Sequence, residues 1–230
     1  MRCLVVIPAY QAARTVGAVV AGLRSQGFEP AELLVVDDGS TDDTAAVAKA
    51  AGAQVARHER NRGKGAALET GLQAARAEGF EAIVTLDADG QHPPQGARRL
   101  ASHPAPAEDL VLGVRDLVGA GAPSANQFSN GISNRFLSWF SGLPLRDTQC
   151  GLRRYPVQRT LALAPRAEGF AFEAEIILRA AKAGIPIHQV PIEVVYPPQG
   201  ERTSHFHVVK DPARIIYRVL HTVLTMRRGS

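Results

Sequence analysis

The stretch that best indicates the fold is residues 33–40, which read Leu-Leu-Val-Val-Asp-Asp-Gly-Ser. Its four apolar residues predict a short strand, and an unbroken apolar run is typical of a strand buried on both faces. The acidic pair and Gly39 then predict a turn. Residues 41–51 are rich in alanine and carry Asp42 and Asp43 where acids favour a helix start, so a helix is predicted to follow.

The same order of strand and helix recurs on both sides of this stretch. Apolar runs predict further strands at residues 3–7, 82–86 and 110–113, and residues 54–57 are predicted to form another. Helical spacing of apolar residues predicts helices at residues 11–25 and 65–78. Strands that alternate with helices are typical of an α/β protein, in which helices cover both faces of a mostly parallel sheet.

The second half of the chain continues with less regular elements. Strands are predicted at residues 152–155, 185–190 and 192–196, the last two being separated by Pro191. Helices are predicted at residues 126–140 and 173–183, and Trp139 is expected in the core. The Gly- and Ala-rich residues 114–125 predict a mobile loop. With no repeat and no Ser/Pro-rich linker, the chain is predicted to be a single domain spanning residues 1–230.

Composition narrows the class of protein further. The chain has 230 residues with a formal net charge of +4, which favours anionic partners. Cys3 and Cys150 are too few for a disulfide framework, so a reducing, cytoplasmic setting is predicted. No apolar run is long enough for a transmembrane helix, and the short one at the N-terminus does not resemble a signal peptide.

Residues 87–91, Asp-Ala-Asp-Gly-Gln, carry the most specific chemical signal. Two carboxylates two residues apart at a strand end repel each other unless a cation lies between them. Asp89 and the amide oxygen of Gln91 are ligand types that Mg²⁺ and Mn²⁺ accept. The plainer alternative is an exposed acidic turn.

Polar residues also follow the first two strands and open a helix. Residues 8–10 follow the first predicted strand, and residues 37–40 follow the second. Residues 61–65, Asn-Arg-Gly-Lys-Gly, form a basic loop. Ligands of open α/β sheets bind at such strand ends, and the loop suits a phosphate. It lacks the spacing of a Walker loop, and no Gly-x-Gly-x-x-Gly follows the first strand. Alone, each motif is also compatible with a helix cap or a solvated turn.

Together these motifs resemble family 2 glycosyltransferases of the GT-A (Rossmann-like) fold. The resemblance continues through residues 113–116, 147–153, 191–194 and 204–206, and it covers roughly residues 3–210. More narrowly, the chain is similar to dolichyl- or polyprenyl-phosphate sugar synthases. The resemblance divides the domain into a nucleotide-sugar half, residues 1–113, and an acceptor half, residues 114–210.

The resemblance also implies roles for individual residues. The nucleotide sugar would bind Pro8, Tyr10, Asp37, Lys64, Asp87, Ala88, Asp89 and Gln149. Asp89 and Gln91 would hold a divalent cation, Mg²⁺ or Mn²⁺, against the donor diphosphate. The acceptor would bind Arg115, Arg135, Arg202, Ser204 and His205. The catalytic residues would be Asp89, Arg115 and Asp147.

The reaction implied is inverting, metal-dependent transfer of a hexose from a GDP- or UDP-sugar to polyprenyl phosphate. A phosphate acceptor is already an oxyanion, whereas a saccharide or small alcohol would need a general base, for which Asp147 is the candidate. That second acceptor class stays open. A nucleotidyltransferase or a non-catalytic nucleotide-sugar-binding module is a more distant alternative, and no nucleic-acid partner is expected.

Residues 211–226 predict a basic amphipathic helix. Its apolar stripe is formed by Ile215, Ile216, Val219, Leu220, Val223 and Leu224. Such a helix packs on its own domain or lies in a membrane interface. The hypothesis is peripheral contact with the inner face of the cytoplasmic membrane, where a polyprenyl acceptor resides.

Overall fold

The structure is a computed structural model that describes residues 1–165 and 171–196. In this part of the chain, seven strands form one sheet. They are β1 (Cys3–Ala9), β2 (Leu33–Asp37), β3 (Gln54–Arg57), β4 (Ala82–Thr85), β5 (Leu110–Arg115), β6 (Arg153–Pro156) and β7 (Ile187–Ile192). The predicted helix at residues 211–226 lies outside the described residues.

The strand order is β3-β2-β1-β4-β6-β5-β7. Neighbouring strands run parallel except where β6 lies antiparallel between β4 and β5. The predicted α/β fold with a mostly parallel sheet is therefore confirmed. Its consequence for function is that β1, β2 and β4 all direct their carboxyl ends to the same edge.

Helices cover both faces of the sheet. In the described residues they are α1 (Val16–Ser25), α2 (Thr44–Ala50), α3 (Lys64–Ala77), α4 (Pro94–Ala101), α5 (Ser124–Ser141), α6 (Val157–Ala162) and α7 (Ala171–Lys182). A 3₁₀ turn, Pro30–Glu32, precedes β2. No helix in this part of the chain is long and apolar enough to span a bilayer.

Two apolar cores form because side chains alternate along each strand. In β1, Leu4 and Val6 pack into the core that includes α3 and α7, whereas Val5 and Ile7 pack into the core that includes α1 and α4. Each fully buried aliphatic side chain contributes roughly 1.5–3 kcal/mol of transfer free energy. The sheet is thus a rigid platform for the loops at its edge.

Several predicted elements need correction. The strand predicted at residues 185–190 continues through Pro191 and ends at Ile192 as β7, whereas residues 193–196, predicted as a further strand, form none. Among the strands of residues 1–165 and 171–196, β7 pairs with β5 alone and lies at the sheet edge, so a residue without an N–H is tolerated there. Helices α4 and α6 were not predicted, because each is short and begins next to prolines that also suggest loops. Trp139 is exposed, so its predicted place in the core is wrong.

Candidate active site

A cavity of about 250 Å³ lies beyond the carboxyl ends of β1, β2 and β4. The turns after β1, β2 and β4, the first residues of α3 and the loop before it all contribute to its walls. The lining residues are Pro8, Ala9, Tyr10, Gln11, Ala12, Arg14, Thr15, Asp38, Asn61, Gly63, Lys64, Ala67, Asp87, Ala88 and Asp89. This is the position at which open α/β sheets bind ligands.

Gln11 fastens the turn after β1 to the turn after β2. Its backbone adopts a left-handed conformation with φ of 52°, which is unfavourable for a residue with a side chain. The Gln11 amide nitrogen donates to Ser40 Oγ at 3.0 Å, and its side chain donates to Thr41 Oγ1 at 2.8 Å. Its side-chain oxygen accepts from the Asp42 backbone nitrogen at 3.2 Å. These bonds offset the strain and fix two walls of the cavity together.

Asp37, predicted for the nucleotide pocket, lies beneath the cavity. It is fully buried as the last residue of β2, and its Oδ1 accepts from the Ser40 backbone nitrogen at 3.0 Å. Its Oδ2 lies 3.2 Å from Arg57 Nε. The next residue, Asp38, belongs to the turn and lines the cavity. Asp38 is thus a further acidic residue at this wall, and the nucleotide-binding role of Asp37 stays a prediction.

Asp38 organises the basic loop before α3. Its Oδ1 lies 2.6 Å from His58 Nδ1, whose other ring nitrogen lies 2.9 Å from Thr70 Oγ1. The same carboxylate accepts backbone N–H groups from Arg62 at 2.9 Å and Gly63 at 2.7 Å. Bonds to an ionised acceptor are stronger than neutral ones, so one buried side chain fixes the entry into α3.

Lys64 begins α3 and forms the positive centre of the cavity floor. Its Nζ lies 2.6 Å from Asp87 Oδ1 and 3.3 Å from Glu173 Oε1. Burial opposes the charge on Lys64, but Asp87 and Glu173 more than compensate and raise its pKa. Glu173 lies on α7, and no sequence motif predicted that it would contribute to the site.

Asp87 and Asp89 have opposite electrostatic surroundings. Burial alone would raise the pKa of Asp87, but the adjacent Lys64 ammonium lowers it below its usual range. Burial, and then the negative charge of Asp87, raise the pKa of Asp89 to about 6. The Asp89 Oδ1 accepts only the Gln91 backbone N–H, at 3.0 Å, among the bonds of the described residues. Asp89 is therefore the carboxylate whose charge is least compensated.

Arg115 and Asp147 form a second charged centre at the end of β5. Arg115 Nε lies 2.7 Å from Asp147 Oδ2, its second side-chain nitrogen lies 3.0 Å from Oδ1, and its backbone nitrogen also donates to this carboxylate at 3.1 Å. Although burial opposes the charge, Asp147 raises the pKa of Arg115 above its already high value. Asp147 is buried, so this bidentate pair holds the guanidinium in one orientation.

Arg153, fully buried in β6, anchors the segment that carries Asp147. It donates to the carbonyl oxygens of Thr148 and Cys150, both at 2.7 Å, and of Glu173 at 3.0 Å. One arginine therefore links the Arg115–Asp147 centre to the helix that provides Glu173. The arginine could be seen in the sequence, but its three backbone partners could not.

His92 was expected at the surface, and the structure shows it buried. Its Nδ1 has no hydrogen-bond partner within the described ranges. Burial lowers the pKa of His92 to about 4, and Arg115 and Lys64 also disfavour its protonation while Asp87 opposes them. The ring is therefore a neutral dipole beside the charged groups of the site. Its place directly after Gln91 is the signal that sequence reasoning overlooked.

The remaining predicted site residues are distributed as follows. Six of them line the cavity: Pro8, Tyr10, Lys64, Asp87, Ala88 and Asp89. Gln149 is not in that lining; its Nε2 donates to Ser129 Oγ on α5 at 3.3 Å. Arg135 is exposed on α5. Arg202, Ser204 and His205 lie outside the described residues.

The residues at this edge fit a divalent cation by their chemistry. Asp89 and Asp87 are half-buried carboxylates of like charge, and a hard cation would relieve the repulsion that raises the Asp89 pKa. Gln91 follows with an amide. Residues 1–165 and 171–196 contain no ready-made cluster of three or more His, Cys, Asp or Glu, so a cation would need oxygen ligands from a bound substrate as well.

Comparison with known proteins identifies the family. Residues 4–157 match the sequence profile of glycosyl transferase family 2, which is most of the chain. The chain therefore belongs to glycosyltransferase family 2, and the protein is a glycosyltransferase. Within the family it resembles polyprenyl-phosphate sugar synthases.

Two curated relatives illustrate this resemblance. The undecaprenyl-phosphate mannosyltransferase of Micrococcus luteus is 30% identical over 217 residues, which cover 87% of this chain and 86% of the relative. The polyprenol monophosphomannose synthase of Mycolicibacterium smegmatis is 28% identical over 203 residues, covering 83% and 76%.

Solved structures confirm the GT-A fold. The glucosyl-3-phosphoglycerate synthase of Mycobacterium tuberculosis, solved with Mn²⁺, UDP and phosphoglyceric acid, superposes with a TM-score of 0.74 at 21% identity. The alignment covers 97% of this chain and 78% of that one. At this identity the likeness concerns the fold.

Proposed function

We propose that this protein transfers a hexose from a GDP- or UDP-sugar to a polyprenyl phosphate, with inversion at the anomeric carbon. The Arg115–Asp147 pair is the observation that supports a phosphate rather than an alcohol as the acceptor. Asp147 is buried and uses both oxygens for Arg115, so it is poorly placed to act as a base for an alcohol. A phosphate monoester needs no such base, and a fixed arginine suits its oxygens. The names of the two curated relatives support this acceptor.

In the proposed reaction, the donor lies in the cavity between Tyr10 and Asp87. Lys64 is held by two carboxylates, so its charge faces the donor phosphates from a fixed position. Asp89 and Gln91 would hold Mg²⁺ or Mn²⁺, which would stabilise the charge on the departing nucleoside diphosphate. Arg115 orients the acceptor phosphate toward the anomeric carbon.

One displacement completes the transfer. An acceptor phosphate oxygen forms the new bond to the anomeric carbon while the bond from that carbon to the diphosphate oxygen breaks. The incoming and leaving oxygens lie on opposite faces of the sugar, so the configuration inverts. No covalent sugar–enzyme intermediate is needed, and no proton must be removed from the acceptor.

A radiolabelled transfer assay tests this function. Labelled GDP-mannose, UDP-glucose and UDP-GlcNAc are each incubated with Mn²⁺ or Mg²⁺ and a detergent-dispersed polyprenyl phosphate. Parallel reactions contain 3-phosphoglycerate, a saccharide or no acceptor. We expect label in the organic phase only with polyprenyl phosphate. Label that enters only water-soluble products would overturn the lipid acceptor, and release of pyrophosphate would indicate nucleotidyl transfer instead.

The Arg115 role is tested in the same assay. Arg115→Lys retains a positive charge but loses the bidentate geometry, so the KM for acceptor should rise about tenfold or more with little change for the donor. An effect confined to the donor KM would contradict this role.

A further inference from the structure

Helix α5 has an unusual distribution of residues between its two sides. Its outer side exposes Phe128, Ile132, Arg135 and Trp139, and we call these four residues the outer α5 face. The exposed fractions of Phe128, Ile132 and Trp139 are 72%, 41% and 79%. The four positions follow one another at intervals of four, three and four residues, which places them on one side of a helix.

The inner side of α5 combines polar and apolar residues, since Phe136 and Phe140 are partly buried against the core. Its buried residues are Ser129, Asn130, Ser133 and Leu137. A helix that only needed to pack on its own domain would have polar residues on its outer side. Here two further aromatic rings and an isoleucine face outward, which indicates a surface for a partner.

The charge around this face specifies what kind of partner fits. From Leu117 to Arg146 the sequence contains no aspartate or glutamate, and its charged residues are Arg135 and Arg146. Both are exposed. Val118, at 75% exposure, adds another apolar side chain in the turn before α5. An apolar surface with only positive charges is complementary to anionic headgroups above an acyl layer.

The inner side of the same helix connects this face to the candidate site. Ser129 accepts from Gln149, and the Thr148 hydroxyl lies 3.0 Å from Ser133 Oγ and 2.8 Å from Asn134 Oδ1. Thr148 directly follows Asp147, the partner of Arg115. The outer α5 face and the acceptor centre are therefore two sides of one rigid element.

We propose that the outer α5 face docks on an anionic lipid bilayer and so brings Arg115 to the membrane surface. This inference rests on the proposed polyprenyl-phosphate acceptor. Trp139 and Phe128 would insert at headgroup depth, where amphipathic and aromatic rings are favourable, while Arg135 pairs with lipid phosphates. An acceptor headgroup could then reach Arg115 while its prenyl chain stays in the bilayer.

The chain offers a direct probe, because Trp139 is its single tryptophan. The full-length protein is titrated with vesicles of phosphatidylcholine alone or mixed with phosphatidylglycerol, none containing prenyl lipid. We expect Trp139 emission to shift to shorter wavelength only with the anionic vesicles. Lipids brominated near the headgroup should quench this emission, and high salt should weaken the effect.

Variants separate the apolar and the charged contributions. The double variant Phe128→Ser/Ile132→Ser and the single variant Arg135→Glu should each lower vesicle partitioning roughly tenfold. The matched control is Lys49→Glu, which makes the same change of charge at an exposed position of α2, on the opposite side of the sheet. Lys49→Glu should partition like the wild type, and equal loss in it would overturn a specific role for α5.

Activity distinguishes failure of docking from failure of the proposed function. If α5 docks, the double variant should lose transfer to vesicle-embedded polyprenyl phosphate but keep transfer to a water-soluble, short-chain prenyl phosphate. If the wild type transfers sugar to neither acceptor, the proposed function is wrong. The vesicle-binding result would still stand, because it does not depend on activity. Unchanged Trp139 emission together with a dimeric sedimentation coefficient would overturn docking in favour of a second copy. If Trp139 emission is already blue-shifted and shielded from acrylamide in the absence of vesicles, another part of this chain covers the outer α5 face. That result would overturn docking on a bilayer.

Discussion

At the residue scale, Asp89 is a carboxylate whose ionised form is unfavourable in the folded protein. Burial and the nearby Asp87 raise its pKa to about 6, whereas an aspartate in an unfolded chain titrates near about 4. Ionisation of Asp89 therefore lowers the free energy of unfolding as the pH rises from about 4 through about 6. At neutral pH the ionised carboxylate destabilises the fold until a cation compensates it.

Asp89→Asn should consequently stabilise the cation-free protein at pH 7 while abolishing cation-dependent turnover. After allowance for solvent screening, a gain of about 1 kcal/mol would raise Tm by about 2–4 °C. Thermal unfolding of both proteins in EDTA from pH 4 to 8 checks this. The difference should vanish toward pH 4, and a variant that is less stable than the wild type at pH 7 would contradict the charge argument.

Gly151 permits the close approach of two charged groups to the backbone. A Cβ at this position would overlap Asp87 Oδ2 and lie 2.8 Å from Lys64 Nζ. Gly151→Ala should therefore displace the ion pair and reduce donor affinity and turnover by tenfold or more. The control is Gly131→Ala, at a helical position with open space, which should be neutral or slightly stabilising. Titration calorimetry with nucleoside diphosphate and the transfer assay give the two readouts.

At the element scale, segment 147–152 depends on β6 for its position. Arg153 supplies three hydrogen bonds to backbone carbonyls around it, and the charged group has no carboxylate within ion-pair distance in the described residues. Its charge is solvated by peptide dipoles. Removal of the side chain leaves buried acceptors unsatisfied, which costs about 1–3 kcal/mol for each group.

Arg153→Ala should destabilise the protein by several kcal/mol, whereas Arg153→Lys should retain one or two of these bonds and fold. In the folded lysine variant we expect kcat to fall and the acceptor KM to rise, because segment 147–152 carries Asp147. Donor affinity should fall less, since only Gly151 of this segment lies against Asp87 and Lys64 of the donor cavity. Steady-state kinetics at saturating donor checks this. A variant with equal losses for donor and acceptor would indicate a merely structural role.

Elements and motifs differ in how far the sequence alone could place them. β1, β2 and β4 were predictable because each is an unbroken apolar run that ends in polar residues. Glu173 was not, since it reaches Lys64 only through the packing of α7 against α3. The place of Asp38 was not predictable either, because its carboxylate binds backbone N–H groups of Arg62 and Gly63, more than twenty residues further along the chain.

At the scale of the whole molecule, both cysteines are buried in one of the two cores, the one that includes α1 and α4. Cys3 begins β1 and Cys150 precedes β6, and burial raises the pKa of each thiol to about 12. Thiolate, the reactive form, is therefore scarce in the folded state.

In the native protein neither cysteine should react with DTNB on the minute timescale at pH 8, and both should react in denaturant. The rate of labelling against denaturant concentration then reports opening of the sheet. Rapid stoichiometric labelling of one thiol without denaturant would show that its region opens locally. The serine variants Cys3→Ser and Cys150→Ser assign any such reaction to one position.

The sequence predicts the parallel part of the sheet better than its centre. Local alternation of strand and helix indicates parallel neighbours, because a crossover helix needs that geometry. Nothing local distinguishes β6 as antiparallel, since its partners are β4 and β5, which lie far from it along the chain. Its buried arginines also make Arg153–Pro156 an atypical strand.

The central position of β6 has a consequence for synthesis on the ribosome. The parallel strands β1 to β4 emerge first, yet the edge of β4 that β6 covers stays unpaired until residues 153–156 have left the exit tunnel. A nascent chain that pauses earlier presents an open strand edge, the kind of surface that chaperones shield and that promotes misassembly. For this protein, translation speed between β4 and β6 therefore sets how long that hazard lasts.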